Sequence, residues 1–329
     1  MDRKQRTSLV IRIGLSVLML AVLIWRVPDF KASDVVPAFT LHNVLWLTLA
    51  AALTLFALVL SALRWQKVLD AMELHTGLGR LLSLYLAGQF VSNVLPTTIG
   101  GDWLRVSRLA KDTGESPGTF ASVVLERLTG WLVLPVISVV GFLINPSLRH
   151  LGTATRVALG LAFATLIALG AVLFAAAHER LGGRFAAREG WRRFAGAIHL
   201  GITRLRHHPS AAVQLLVVGF AYQLVLVLAA VAAAQALGLG NTAGLTFLLA
   251  FFPAVAIAQV LPIGISGLGV REGAFVLFLH PLGVHTSEAI ALGLMLYLLN
   301  LGVSLLGAPA FAVGGGRKSL PSTVLPSGS

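Results

Sequence analysis

Three acid–base couples lie where the sequence is otherwise apolar: Asp102 with Arg105, Glu126 with Arg127, and Arg271 with Glu272. A planar guanidinium grips a phosphate or carboxylate through parallel N–H donors. A carboxylate beside it can hold the arginine in place, accept an amine or take up a proton. An ionised side chain at the middle of a bilayer costs at least ~2.5 kcal/mol on insertion scales, so residues of this kind are retained where a function uses them. The competing reading of each couple is a salt bridge that only pins helices together. The chemistry on offer is recognition of an anion, phosphate above all.

Two of the couples belong to a motif that occurs twice at an offset of 166 residues, "NVLPTTIGGDWLRVSRL" from Asn93 and "QVLPIGISGLGVREGAF" from Gln259. The copies align without a gap and share Val94/Val260, Leu95/Leu261, Pro96/Pro262, Ile99/Ile265, Gly101/Gly267 and Arg105/Arg271. Pro96 and Pro262 break whatever helix contains them. Backbone groups freed in hydrocarbon cost several kcal/mol each unless protein, water or a ligand satisfies them, so the breaks are expected to line a cavity. Gly100, Gly101, Gly264, Gly267 and Gly269 allow a ligand or a second helix to approach the main chain. A half-helix that starts there points N–H donors and positive partial charge at an anion.

The elements that must position these residues are membrane spans. Of 329 residues, 57% are hydrophobic and 12% charged, which predicts an all-α polytopic bundle. Full crossings are expected at 8–25, 44–63, 119–144, 154–177, 210–236 and 286–313, with broken segments at 81–101 and 244–279. The stretch 178–209 carries seven arginines, which places it on the cytoplasmic side. It reads either as a helix lying on the inner leaflet or as a plain topology determinant. The basic N-terminus, 64–80, 102–118 and the tail follow to the same side. For 64–80 and 102–118 to share a face, the segment between them must enter and return as a re-entrant hairpin. The second broken segment then dips from the opposite face. The 166-residue offset gives two span–hairpin–span units of opposite orientation, about 44–144 and 210–310, within one membrane domain over 1–313. The Gly/Pro/Ser-rich remainder, 314–329, has the composition of a disordered tail. Paired broken helices in matching halves are the sequence signature of a transporter's binding site.

Composition also excludes. Net charge is +12 and the sequence pI about 11.3, yet positive-inside topology accounts for the excess and no nucleic-acid partner is expected. No cysteine is present, so there is no thiolate metal site and no cysteine nucleophile. "GGGRKS" near the C-terminus lacks the glycine before lysine of a phosphate-binding loop, and "GLGVRE" is followed by "GAFVLFL" rather than by a dinucleotide fold. No cofactor and no metal are expected.

The Pro, Gly-Gly-Asp and Arg of Pro96 to Arg105, the Glu-Arg at 126 and 127, and the Pro, Gly-x-Gly and Glu of Pro262 to Glu272 together resemble the flippase-like integral membrane family related to the transmembrane region of lysylphosphatidylglycerol synthetases. The resemblance covers 8–313. It implies movement of a lipid between leaflets, in that family an aminoacylated phospholipid. Bifunctional members carry a soluble aminoacyl-transferase domain after the membrane region, and this chain stops at Ser329. The expectation is therefore a non-enzymatic flippase working with a separate lipid-modifying synthase, by alternating access, on an anionic lipid, aminoacylated and polyprenyl-phosphate-linked lipids included. Its expected place is a bacterial or archaeal inner membrane, both termini cytoplasmic. Two other readings stand beside it. One is an ion-coupled solute transporter; the other is an integral-membrane transferase with a polyprenyl-phosphate donor, for which 26–43 offers only Asp29 and Asp34 as acids.

Overall fold

The computed structural model describes residues 37–94, 100–177, 196, 198–201, 203, 209–260 and 267–313. Every regular element among them is helical. In chain order these are α1 (Leu41–Ala71), α2 (Leu78–Val94), α3 (Gly100–Thr113), α4 (Ser116–Ile144), a 3-10 turn at Pro146–His150, α5 (Thr153–Ala177), α6 (Pro209–Ala236), α7 (Leu245–Ala258), α8 (Val270–Leu279), a 3-10 turn at His280–Leu282, α9 (Thr286–Leu305) and α10 (Ala308–Val313).

Five of these helices are long and apolar enough to cross a bilayer: α1, α4, Thr153–Ala175 of α5, α6 and α9. The first expected span, 8–25, lies outside the described residues, as do most of the arginine-rich stretch, residues 26–36 and the tail. Two boundaries differ from the sequence reading. α1 runs eight residues past 63, because Trp65, Val68 and Leu69 continue its buried face and Arg64 is buried with them. The expected span 286–313 ends instead at Leu305. Gly307 interrupts it there and lies against the Leu86 carbonyl and Phe90, where a β-carbon would collide.

Each broken segment is a pair of helices packed antiparallel. Along α2 and α3, Gly101 lies beside Gly88 and Ser92, Arg105 stacks on Tyr85, and Arg80 pairs with Asp112 at the open end, 2.8 Å apart. Along α7 and α8, Gln259 meets Gly267 and Arg271, and Phe251 meets Phe278 with ring centroids 5.0 Å apart. These arms extend further than 81–101 implied, since 102–113 is helix rather than loop. The breaks, 95–99 and 261–266, lie outside the described residues, and Pro96, Pro262 and Gly264 with them.

The 166-residue offset that aligns the motifs also lays α1 on α6, α2 on α7, α3 on α8 and α4 on α9. α1 and α6 pack along their length in opposite directions. Val68, late in α1, and Met72, its C-cap, share a buried cluster with Leu215, early in α6. Ala50, early in α1, shares another with Ala230 and Ala234, late in α6. α4 and α7 approach closely enough that a β-carbon on Gly141 would strike the backbone of Leu249 and Ala250. Ser138 donates to the Ala250 carbonyl at 2.6 Å across the same seam. With lipid outside as apolar as leucine inside, small residues and such hydrogen bonds are what hold helices together.

Candidate functional site

Between the two helix pairs lies a cavity of about 300 Å³. α1 contributes Thr54 and Arg64, α2 Tyr85 and Gln89, α4 Glu126, Arg127 and Trp131, α6 Tyr222 and Gln223, α7 Phe252 and, just past its end, Gln259, α8 Arg271 and α9 Asn300. Both halves of the chain are needed to close it. Its polar wall sits inside apolar helices, the setting in which polar groups are retained for a ligand or for one another.

One wall is an ion network centred on Glu126, which is 1% exposed. Arg64 reaches it through Nε at 3.1 Å and through a shorter Nη2 contact to the same oxygen, Oε1. Arg105 Nη2 donates to the other oxygen, Oε2, at 3.2 Å. Arg105 is also held between the rings of Trp65 and Tyr85, 4.2 and 4.1 Å from their centroids. Asp102 links the network to Arg127, accepting from its Nε at 2.5 Å and from Arg105 Nη1 at 3.4 Å. Asp102 stands in the first turn of α3, where the helix dipole favours a carboxylate.

The sequence couples are thus re-paired. Glu126 and Arg127 are neighbours in the chain but point about 100° apart around α4, as consecutive helical residues must. Glu126 turns to Arg64 and Arg105, and Arg127 turns to Asp102. Asp102 and Arg105, one helical turn apart, do meet. In the second motif Arg271 spends Nε and Nη2 on Gln259 Oε1, at 2.9 and 2.8 Å, and lies over the Tyr297 ring. Glu272 turns inward, 0% exposed, and caps its own helix by accepting the Gly269 N–H at 2.6 Å.

Four of the six charged candidates therefore gather in one network: Asp102, Arg105, Glu126 and Arg127. Arg271 joins Glu126 and Arg127 in the cavity wall, while Asp102, Arg105 and Glu272 stay behind it. The glycines divide by task. Gly100 and Gly101 open α3, and Gly101 lets α2 close in, since a β-carbon there would meet the Gly88 carbonyl and Ser92. Gly267 and Gly269 adopt φ of +75° and +82°, which a residue with a side chain takes up at a cost of ~1–2 kcal/mol.

Sequence reasoning missed Arg64 by assigning it to a cytoplasmic loop. The available signal was Arg64, Val68 and Ala71 recurring at helical spacing beyond the expected end of the span. Gln259 and Tyr222 carry no charge and gave none. Among the described wall residues the balance is three guanidiniums, Arg64, Arg127 and Arg271, against the single carboxylate of Glu126. Arg64 Nη1 is buried with no hydrogen-bond partner. The described residues hold no group of three or more His, Cys, Asp or Glu side chains placed to share a metal ion. The arrangement can bind an anion through the planar donors of its arginines.

The family described as Lysylphosphatidylglycerol synthase TM region matches the chain over residues 9–307. No curated protein matches it.

Proposed function

We propose, from the premise that the chain belongs to the lysylphosphatidylglycerol synthase TM region family, that it moves an anionic phospholipid between membrane leaflets. The family supports a membrane protein of lipid metabolism or transport. The observation that carries the finer reading is the set of guanidiniums in the cavity wall, Arg64, Arg127 and Arg271, with Glu126 as the carboxylate beside them and Asp102 paired to Arg127 from behind. A phosphate that crosses the bilayer gives up its hydration, and substitute donors must replace it. These three arginines supply them from both halves of the chain, while Glu126 anchors Arg64 and limits the positive excess that would otherwise go uncompensated.

The antiparallel packing of α1 on α6 and the matching order of helices in the two halves support an inverted repeat, with α2–α3 and α7–α8 as opposed re-entrant hairpins. Alternating access follows when one hairpin loosens while the other stays closed. The lipid's acyl chains remain in the bilayer, no covalent step is required of the protein, and a separate synthase supplies any aminoacylated substrate.

The test is a leaflet-exchange assay in vesicles, with a phosphatidylglycerol whose headgroup label can be quenched from outside. Protein-dependent exchange without nucleotide is expected, and Arg64→Gln or Arg271→Gln should slow it by tenfold or more, one lost charge-assisted contact being worth ~1.5–3 kcal/mol. Absence of exchange for phosphatidylglycerol, its lysyl ester and a polyprenyl phosphate, in protein with a native helical spectrum, refutes the reading.

A further inference from the structure

A second cavity, of about 270 Å³, lies on the outer side of the ion network between α3 and α4. Trp103 and Val106 line it from α3, and Val123, Val124 and Leu128 from α4. Its lining is almost wholly apolar, with two exceptions. Asp102 and Arg127 form one wall, and Arg127 and Trp131 line the polar cavity as well. The two spaces therefore meet at Arg127 and Trp131, polar on one side and apolar on the other.

The position of Arg127 fits this division. It lies about 16 Å along α4 from Ser116, roughly half the hydrocarbon thickness of a bilayer, yet its side chain is 48% exposed. Trp103, at the rim of the apolar space, is 61% exposed. Exposed Trp103 and the half-exposed Arg127 place the groove at the surface of the bundle. At 270 Å³ it is smaller than the ~300–1,000 Å³ of a typical whole-ligand site, so it suits a part of a molecule. An amphiphile accounts for both spaces and their shared wall.

We infer that this groove holds one acyl chain of the same lipid whose phosphate lies in the polar cavity, with the Asp102–Arg127 pair at the level of its ester backbone. The inference rests on the lipid-transport reading. It gives the bundle a lateral entry between α3 and α4, and it makes chain length, not only headgroup charge, a determinant of which lipid moves. Arg127 then serves both spaces: its guanidinium faces the phosphate and its aliphatic stem covers the chain.

The test uses the full chain in vesicles and two exchange substrates, long-chain phosphatidylglycerol and its dihexanoyl analogue. Val124→Phe should fill the groove and slow long-chain exchange about tenfold relative to the short-chain analogue, whereas Val124→Ala should leave the ratio at its wild-type value. A ratio unchanged in Val124→Phe, whether both rates fall together or neither does, overturns the inference. Independently of transport, phosphatidylglycerol carrying a photoreactive diazirine in mid-chain should label Val123, Val124 or Leu128. Labelling confined to the outward residues of α5, such as Phe163, Ile167 and Phe174, would mean ordinary boundary lipid and overturn it as well. Groove labelling without exchange of any lipid by the wild type would retain the binding site and reject transport.

Discussion

Glu126→Gln isolates the charge at the centre of the network, because glutamine keeps the shape and one acceptor oxygen. Wild-type Glu126 neutralises Arg64 on one oxygen and Arg105 on the other, and all three residues are at most 4% exposed. Removing one partner of a buried ion pair costs ~3–5 kcal/mol, and glutamine recovers part of that through a remaining hydrogen bond to a charged donor. The expected net loss is ~2–4 kcal/mol. Arg127→Met breaks the pair to Asp102 but removes a half-exposed side chain, so its cost should stay near 1 kcal/mol or below. Equilibrium unfolding in mixed micelles of rising SDS content, followed by helical circular dichroism, compares the two directly. Combining Glu126→Gln with Arg105→Met should recover stability relative to the sum of the single changes, by ~0.5–3 kcal/mol. An unfolding midpoint for Glu126→Gln equal to wild type, or a greater loss in Arg127→Met, would show that the arginines are solvated and that the network does not hold the bundle.

Further outcomes follow from the same geometry. Glu126→Gln should raise the affinity of the folded protein for inorganic phosphate, measured by isothermal titration, because Arg64 then loses its carboxylate partner beside the cavity; weaker binding would mean that Glu126 shapes the site more than it discharges it. Arg271→Lys loses the fork that holds both Nε and Nη2 on Gln259, so lipid exchange should fall at least several-fold while the SDS unfolding midpoint changes little. Gly101→Leu drives a side chain into the Gly88 carbonyl and Ser92, and overpacking of that kind should destabilise the fold by ~1–3 kcal/mol. Single cysteines at positions 75 and 111, in a chain with no native cysteine, should react with an impermeant maleimide from the same membrane face. Reaction from opposite faces would rule out the re-entrant hairpin.

By itself the sequence determined the material and its punctuation. Apolar runs of spanning length need intra-segment hydrogen bonds in lipid, so the all-helical bundle was legible from composition. The duplicated Pro/Gly motif lies between the helices of two antiparallel pairs, and its offset of 166 residues lays the helices of the two halves on one another in order. Asp102, Arg105, Glu126, Arg127 and Arg271 stood out because charge is costly in such a context. What the sequence could not give was the partner of each charge. Glu126 and Arg127 are adjacent in the chain and divergent on the helix, and Arg64 reaches Glu126 from 62 residues away. Residues lining one cavity from seven helices share no local pattern. Glu272 reads as a site residue by its charge, yet it caps α8 because its helix places it against Gly293 rather than toward the cavity. Pairing in the bundle is set by rotation about each helix axis and by the close approaches at Gly101 and Gly141, and both are properties of packing rather than of order along the chain.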